Sequence, residues 1–325
     1  MGSDDTVRVT PPGGKPPRPT LPTSKPPTSK SKPPRSQFRR FAVIGGAVLV
    51  AAIAIIGLSR LVFDRAPIPL AGETTIALNH PRHLMVFRLR DDPLVLVVDC
   101  PSLHSQGLMF DRIAALIEKA DAPRDRVLSW PELTVAAAAA HQTIGTYYYG
   151  NDYSARSLRR FFRIAKRDHQ KLNAQEHKLR ALLERVGYLR AGANGAVISL
   201  PAAGAGKRVS MHVRAVILRH EISHGAFFTL PFYRAYTQHF FTSVLTPAER
   251  QDFRRFLGHE GYDMSNQTLM MNETQAYLVF TRDHEFFTAT AVGLPQATID
   301  QLRADYIAHM PNFWLKRLTQ EKLPR

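Results

Sequence analysis

His220-Glu221-Ile222-Ser223-His224 sets two imidazoles four residues apart with a carboxylate between them. Residues at that spacing lie one above the other on a single face of an α-helix. Two imidazoles so placed can close on one zinc ion, and Glu221 then stands beside it to take a proton from water that the metal activates. Such a zinc ion keeps one position open for water and takes three ligands from the protein. A third ligand is therefore required. Position 230 is Leu, where the extended HExxHxxGxxH pattern has its third His, so this ligand must sit on a separate element.

The surrounding residues predict helices that would position this chemistry. Met211 to Leu218 is apolar except for His212 and Arg214 and contains no Gly or Pro, so it carries a helix into the motif. Thr246-Pro247-Ala248-Glu249 reads as a capping box with Pro in the first helical position, opening a helix that Gly258 closes. A loop through Gly261-Tyr262-Asp263 leads to a second breaker-free run, Leu269 to Phe280. Glu273 lies in the middle of that run among large apolar residues, and a carboxylate there is costly to bury unless it is paired or bound to a metal. Glu273 is the expected third ligand. Its rivals are His259, Glu260, Asp263 and His284, with the Gly-bounded pair His259-Glu260 foremost. Loop residues are also natural substrate contacts, and Tyr262 and His259 are candidates for that role.

HExxH followed by Asn272-Glu273-Thr274-Gln275-Ala276 on a later helix resembles the gluzincin metallopeptidases. The resemblance covers these two helices. It implies an α+β, zincin-like domain, mostly helical with a small β-sheet. It also implies His220, His224 and Glu273 as zinc ligands, Glu221 as catalytic base, and a polypeptide or peptide as substrate. Many gluzincins carry an Asp one helical turn after the glutamate ligand, to orient a histidine. This chain has Tyr277 there, a candidate either for that hydrogen bond or for donation to the oxyanion. Tyr262, His259 and Arg282 are the other oxyanion candidates. Two further classes remain: an inactive zincin-fold scaffold of the cell envelope, and a zinc hydrolase of a non-peptide amide.

The chain has 325 residues and a formal net charge of +16. Residues 1–40 carry nine Lys/Arg against Asp4 and Asp5, which is 9 − 2 = +7. This Pro- and Lys-rich segment has too little apolar surface to offset its ordering entropy and is expected to be a disordered cytoplasmic tail. Residues 41–59 form an uncharged apolar run between Arg39-Arg40 and Arg60. As a helix it spans about 28 Å, enough for one bilayer core, and it is expected to be a signal anchor. The excess of Lys and Arg on its amino side keeps that side in the cytoplasm. Residues 60–325 are then an exported domain on a single-pass inner-membrane protein facing the periplasm. Cys100 is the only cysteine, so no internal disulfide forms. The sequons at Asn266 and Asn272 read as accidental, since a glycan beside Glu273 is hard to fit.

Within that domain, Leu84–Leu89 and Pro93–Asp99 predict a hairpin. Helices are expected over 109–119 and 131–141, and two more between Ser154 and Arg190. The second pair carries a basic face from Arg156 to Lys171, which reads as solvated, or as a contact for anionic lipid headgroups. No groove-reading or base-stacking element accompanies it, so no nucleic-acid partner is expected. Tyr147-Tyr148-Tyr149-Gly150-Asn151-Asp152-Tyr153 reads as aromatic packing under a loop, or as the lining of a cleft. Residues 196–200 are either an interior strand or an edge strand able to pair with an extended substrate.

Overall fold

The computed structural model describes residues 66–206 and 209–324. The expected tail and signal anchor lie outside the described residues. Among the described residues no helix is long and apolar enough to cross a membrane.

The architecture is α+β, with one small mixed sheet and a large helical complement. The chain runs β1 (Leu70–Ala71), α1 (Glu73–Ala77), β2 (Met85–Leu89), β3 (Val95–Cys100), α2 (Leu103–Ile117), α3 (Trp130–Ala139), β4 (Asn151–Ser154), α4 (Ala155–Arg167), α5 (Ala174–Val186) and β5 (Ala196–Pro201). It continues through α6 (Met211–Thr229), α7 (Pro231–His239), α8 (Pro247–His259), α9 (Gln267–Gln275), α10 (Ala289–Val292), α11 (Gln296–His309) and α12 (Trp314–Leu318). The strand order is β1-β2-β3-β5-β4. The β2–β3 hairpin is antiparallel, β3 and β5 are parallel, and β4 is antiparallel to β5.

Alternation along β3 divides the interior in two. Leu96, Val98 and Cys100 face a core shared with Phe110, Ile113 and Phe161 of α2 and α4. Val95 and Val97 face the other core, with Ile222 and Ala226 of α6. The sheet is thus covered on both faces, and α6 carries the histidines beneath it. Gly225 lets α6 approach closely, because a Cβ there would stand 2.9 Å from both methyls of Val95. Two buried guanidiniums fix the helix. Arg214 donates to Asp99 and to the carbonyls of Ile76 and Ala77. Arg219 forms a bidentate pair with Glu73, at 2.7 and 2.8 Å. Cys100 is fully buried, and burial raises its thiol pKa, so it is an inert core residue.

Residues 196–200 do not form an edge. β5 lies between β3 and β4, and the strand beyond it, β4, has Asn151, Asp152 and Tyr153 buried. β5 thus presents no open backbone for a substrate, and the sheet edge on this side belongs to β4. The apolar run 196–200 satisfied both readings because interior and edge strands share the same β-branched composition.

Helix α9 does not stop at Gln275. It passes into a π-helical turn, Ala276–Phe280, closed by Thr281 N–H donating to Ala276 O across five residues. Arg303 of α11 donates to the Leu278 carbonyl at 2.7 Å. Part of the basic face of α4 is structural: Arg159 donates to the Arg190 carbonyl, and Arg167 pairs with Asp168.

Candidate metal centre

His220 and His224 project from α6 with their Nε2 atoms 2.9 Å apart. Glu273 arrives from α9, its two oxygens each 3.6 Å from one of those nitrogens. Three donors at tetrahedral corners about 2.1 Å from a zinc ion stand about 3.4 Å from one another, and these separations bracket that value. Two imidazoles and a carboxylate are also the donor types that zinc accepts. The residues present therefore fit the metal that the sequence implies.

The protonation pattern suits the same conclusion. Thr281 Oγ1 donates to the Ala276 carbonyl and lies 2.7 Å from His220 Nδ1. With its own proton committed, the hydroxyl accepts, so His220 carries its proton on Nδ1 and leaves a lone pair on Nε2. His224 Nδ1 has no hydrogen-bond partner and lies 3.7 Å from Asp152 Oδ2. Asp152 comes from β4 and accepts from Asn272 at 3.2 Å. Burial lowers the histidine pKa values to about 3 for His220 and about 4 for His224, so both rings are neutral near pH 7. His220 thus turns an electron pair towards the point where His224 Nε2 and the Glu273 carboxyl converge.

Glu221 lies beside this point. Its Oε2 is buried without a partner, and its Oε1 fills space left by Gly150, where a Cβ would stand 2.0 Å away. Burial, then the nearby Glu273 and Glu118 carboxyls, pushes its pKa well above the usual range. Burial likewise raises Glu273, against His224 and a hydrogen bond from Tyr262. It raises Asp152 and Glu118 too, each reinforced by neighbouring carboxyls. Four buried carboxyls in one cluster are costly unless protonated or matched by a cation, and a divalent ion acts against every one of these upward shifts.

A cleft of about 650 Å³ opens on His220 and Glu221 and is walled by Tyr147, Tyr148, Tyr149, Tyr262 and Tyr277. Tyr277 packs edge-on to His220, ring centroids 4.9 Å apart, and is half-buried. Burial and the Glu273 charge raise its pKa well above the ordinary value, so it is a phenol donor. Tyr262 is buried beside Glu273.

The structure brings His220, Glu221, His224, Glu273, Tyr262 and Tyr277 together. It leaves His259 and Arg282 exposed and outside the cleft lining, so neither is placed to touch a substrate there; Glu260 lines it instead. Asp263 is paired with Arg124, and His284 is exposed. Asn272 is buried against Asp152, and Asn266 caps α9, so both sequon asparagines have structural work.

Sequence reading missed Asp152, Thr281, Gly150 and Glu118. Asn151-Asp152 looks like a turn pair, and Thr281 follows the end of a helical pattern. The one available signal was an acid, Glu118, closing an otherwise apolar helical face. Ser223 and Gln275 were also missed; Gln275 donates to Ser223 Oγ, which donates to the His220 carbonyl, tying α9 to α6.

The chain matches no protein-family model, no curated protein and no solved structure.

Proposed function

We propose that the chain is a membrane-anchored, zinc-dependent metallopeptidase with a zincin-like domain. The observation that carries this reading is the convergence of His220 Nε2, His224 Nε2 and the Glu273 carboxylate beside Glu221, whose Oε2 has no partner, at the floor of a cleft. The restriction to peptide bonds rests on the likeness of the two motif helices to gluzincins.

Zinc, when bound, polarises a scissile carbonyl and makes water nucleophilic near neutral pH. Glu221 takes a proton from that water and returns it to the leaving amine. Gly150 leaves the carboxylate its working position. Tyr277 donates to the oxygen on which negative charge develops. Thr281 holds the tautomer of His220, while Asp152 lies beside His224 and Tyr262 beside Glu273. The tyrosines of the cleft shield the reacting groups from bulk water.

The apolar run 41–59 and the basic residues before it support an amino-terminal cytoplasmic tail and a periplasmic catalytic domain. Protease added to intact spheroplasts should digest material after Arg60; protection of the large domain would reverse this orientation.

Chemistry is tested on the purified protein and its Glu221→Gln variant with a peptide mixture, zinc being quantified in both. About one zinc per chain is expected in each, with turnover lower in the variant by about 10²–10⁴-fold. Equal turnover in the two proteins would end the peptidase reading.

A further inference from the structure

Lys119 stands just beyond the end of α2, in the wall of the cleft that exposes His220 and Glu221. Its backbone is held on both sides. Lys119 bridges Tyr262, Ala120 N–H donates to Gly261 O, and Asp263 N–H donates to Glu118 O. The residue is 9% exposed. Its Nζ lies 4.4 Å from the ring centroid of Tyr147 and 4.3 Å from that of Tyr148. Gly261 admits it, since a Cβ there would come within 3.3 Å of Nζ.

This ammonium lacks an acceptor. Among the described residues it makes no hydrogen bond, and no carboxylate lies within ion-pair distance. An ammonium has three protons to donate, and a lysine this deeply buried is ordinarily paired. The two rings attract its charge but leave its donors unused. Burial lowers its pKa, and Glu118, Asp111 and Glu260 support the charge only from further off. Asp111 is turned to the Gly145 N–H, and Glu118 is buried beside Glu273. The exposed arginines Arg156 and Arg163 line a different groove, whose lining does not include His220 or Glu221. Among the described residues, Lys119 is the one lysine or arginine in the lining of the candidate catalytic cleft, which it shares with Glu260 and Glu285.

We propose that Lys119 binds a carboxylate of the substrate, making the cleft selective for peptides that present an anionic group, either the carboxyl terminus or an acidic side chain. The proposal rests on the peptidase reading for its substrate class. The rings of Tyr147 and Tyr148 hold the ammonium in place beforehand, so little side-chain entropy is lost on binding.

The test uses the full chain bearing Glu221→Gln, so that peptides bind without being cleaved. The probes are acetyl-tetra-alanine as the free acid, its carboxyl-terminal amide, and the amide with one Glu at each position in turn. Binding is read by calorimetry. A charge-assisted hydrogen bond predicts that an anionic probe binds roughly ten- to a hundredfold tighter than the neutral amide. Preference for the free acid identifies the carboxyl terminus, and preference for a Glu-containing amide identifies a side chain. Adding Lys119→Met or Lys119→Gln should abolish the preference, and Lys119→Arg should keep much of it. The neutral variants also control for a carboxylate that binds the metal directly. Equal affinity for acidic and neutral probes, no binding of any probe, or a preference that survives both neutral variants overturns the assignment. Cleavage by the chain with Glu221 intact is scored separately. Selective binding without cleavage sinks the peptidase reading alone, and cleavage without selectivity sinks the role of Lys119 alone.

Discussion

Gly150 and Glu221 are in direct contact: the space where residue 150 would carry a Cβ is occupied by the Glu221 carboxylate, Oε1 at 2.0 Å and Cδ at 2.7 Å. The contact joins the loop before β4 to the motif helix at the residue assigned to proton transfer. Gly150→Ala should therefore displace the carboxylate while leaving the three donors in place. Turnover is expected to fall by about 10²-fold or more, as for loss of a general base, with zinc content unchanged. Full activity in this variant would show that the carboxylate does not need its present position.

Glu273 is the proposed third donor beside the two histidines. Glu273→Ala should lower zinc per chain below that of the parent after dialysis against a weak chelator. Zinc retained at parental stoichiometry would remove Glu273 as a ligand. Asp152 would then be the next residue to vary, because it shares a second potential donor group with Glu221 and His224.

On the proposed reading, Thr281 acts on the metal through the Nδ1 of His220. Thr281→Val keeps the side-chain shape and removes the acceptor for Nδ1–H. Loss of such an outer partner commonly costs 10–100-fold in metal affinity, and a fall of that order is expected in a competition titration with a fluorescent chelator. Thr281→Ser should restore most of it. If Thr281→Val binds zinc as tightly as the parent, the tautomer of His220 is held by something else.

Asp111 makes stability depend on pH at a point away from the metal donors. Burial raises its pKa from 3.8 to about 7, against a hydrogen bond from Gly145 N–H and the charge of Lys119. The folded pKa is thus above the unfolded one. The folded state is favoured while the group stays protonated, and that advantage is lost as pH rises from about 4 to about 7, by at most about 4 kcal/mol. Asp111→Asn should gain on the parent over that interval and hold its gain above it. Melting temperatures of both proteins between pH 4.5 and 8 measure the difference; a constant gap would contradict the assignment.

Much of the donor set was visible in the sequence because it depends on local rules. The four-residue spacing of His220 and His224 needs only a helix, and Glu273 stood out as a carboxylate among Met270, Met271 and Leu278. The hairpin and the helices around the site followed from periodicity and from caps such as Thr246 and Glu249, whose reciprocal capping bonds are present. What orients the donors was hidden. Asp152 reaches the site from β4 and meets Asn272 across 120 residues of sequence. Lys119 reads as the polar end of a helix until the sheet, α2 and the Gly261 loop are brought together. Long-range pairing of this kind leaves no periodic trace.

The π-turn after Gln275 makes chain length itself a requirement of the site. Thr281 stands under His220 because the helix there is wound with one residue more than an α-turn would hold. Deleting Ala276, Leu278, Val279 or Phe280 would yield a more regular helix with every donor side chain still present. Each residue in an α-helix advances about 100°, so Thr281 would be carried round the axis and away from Nδ1. The first histidine would then be free to flip, in a protein whose inventory of ligands looked complete.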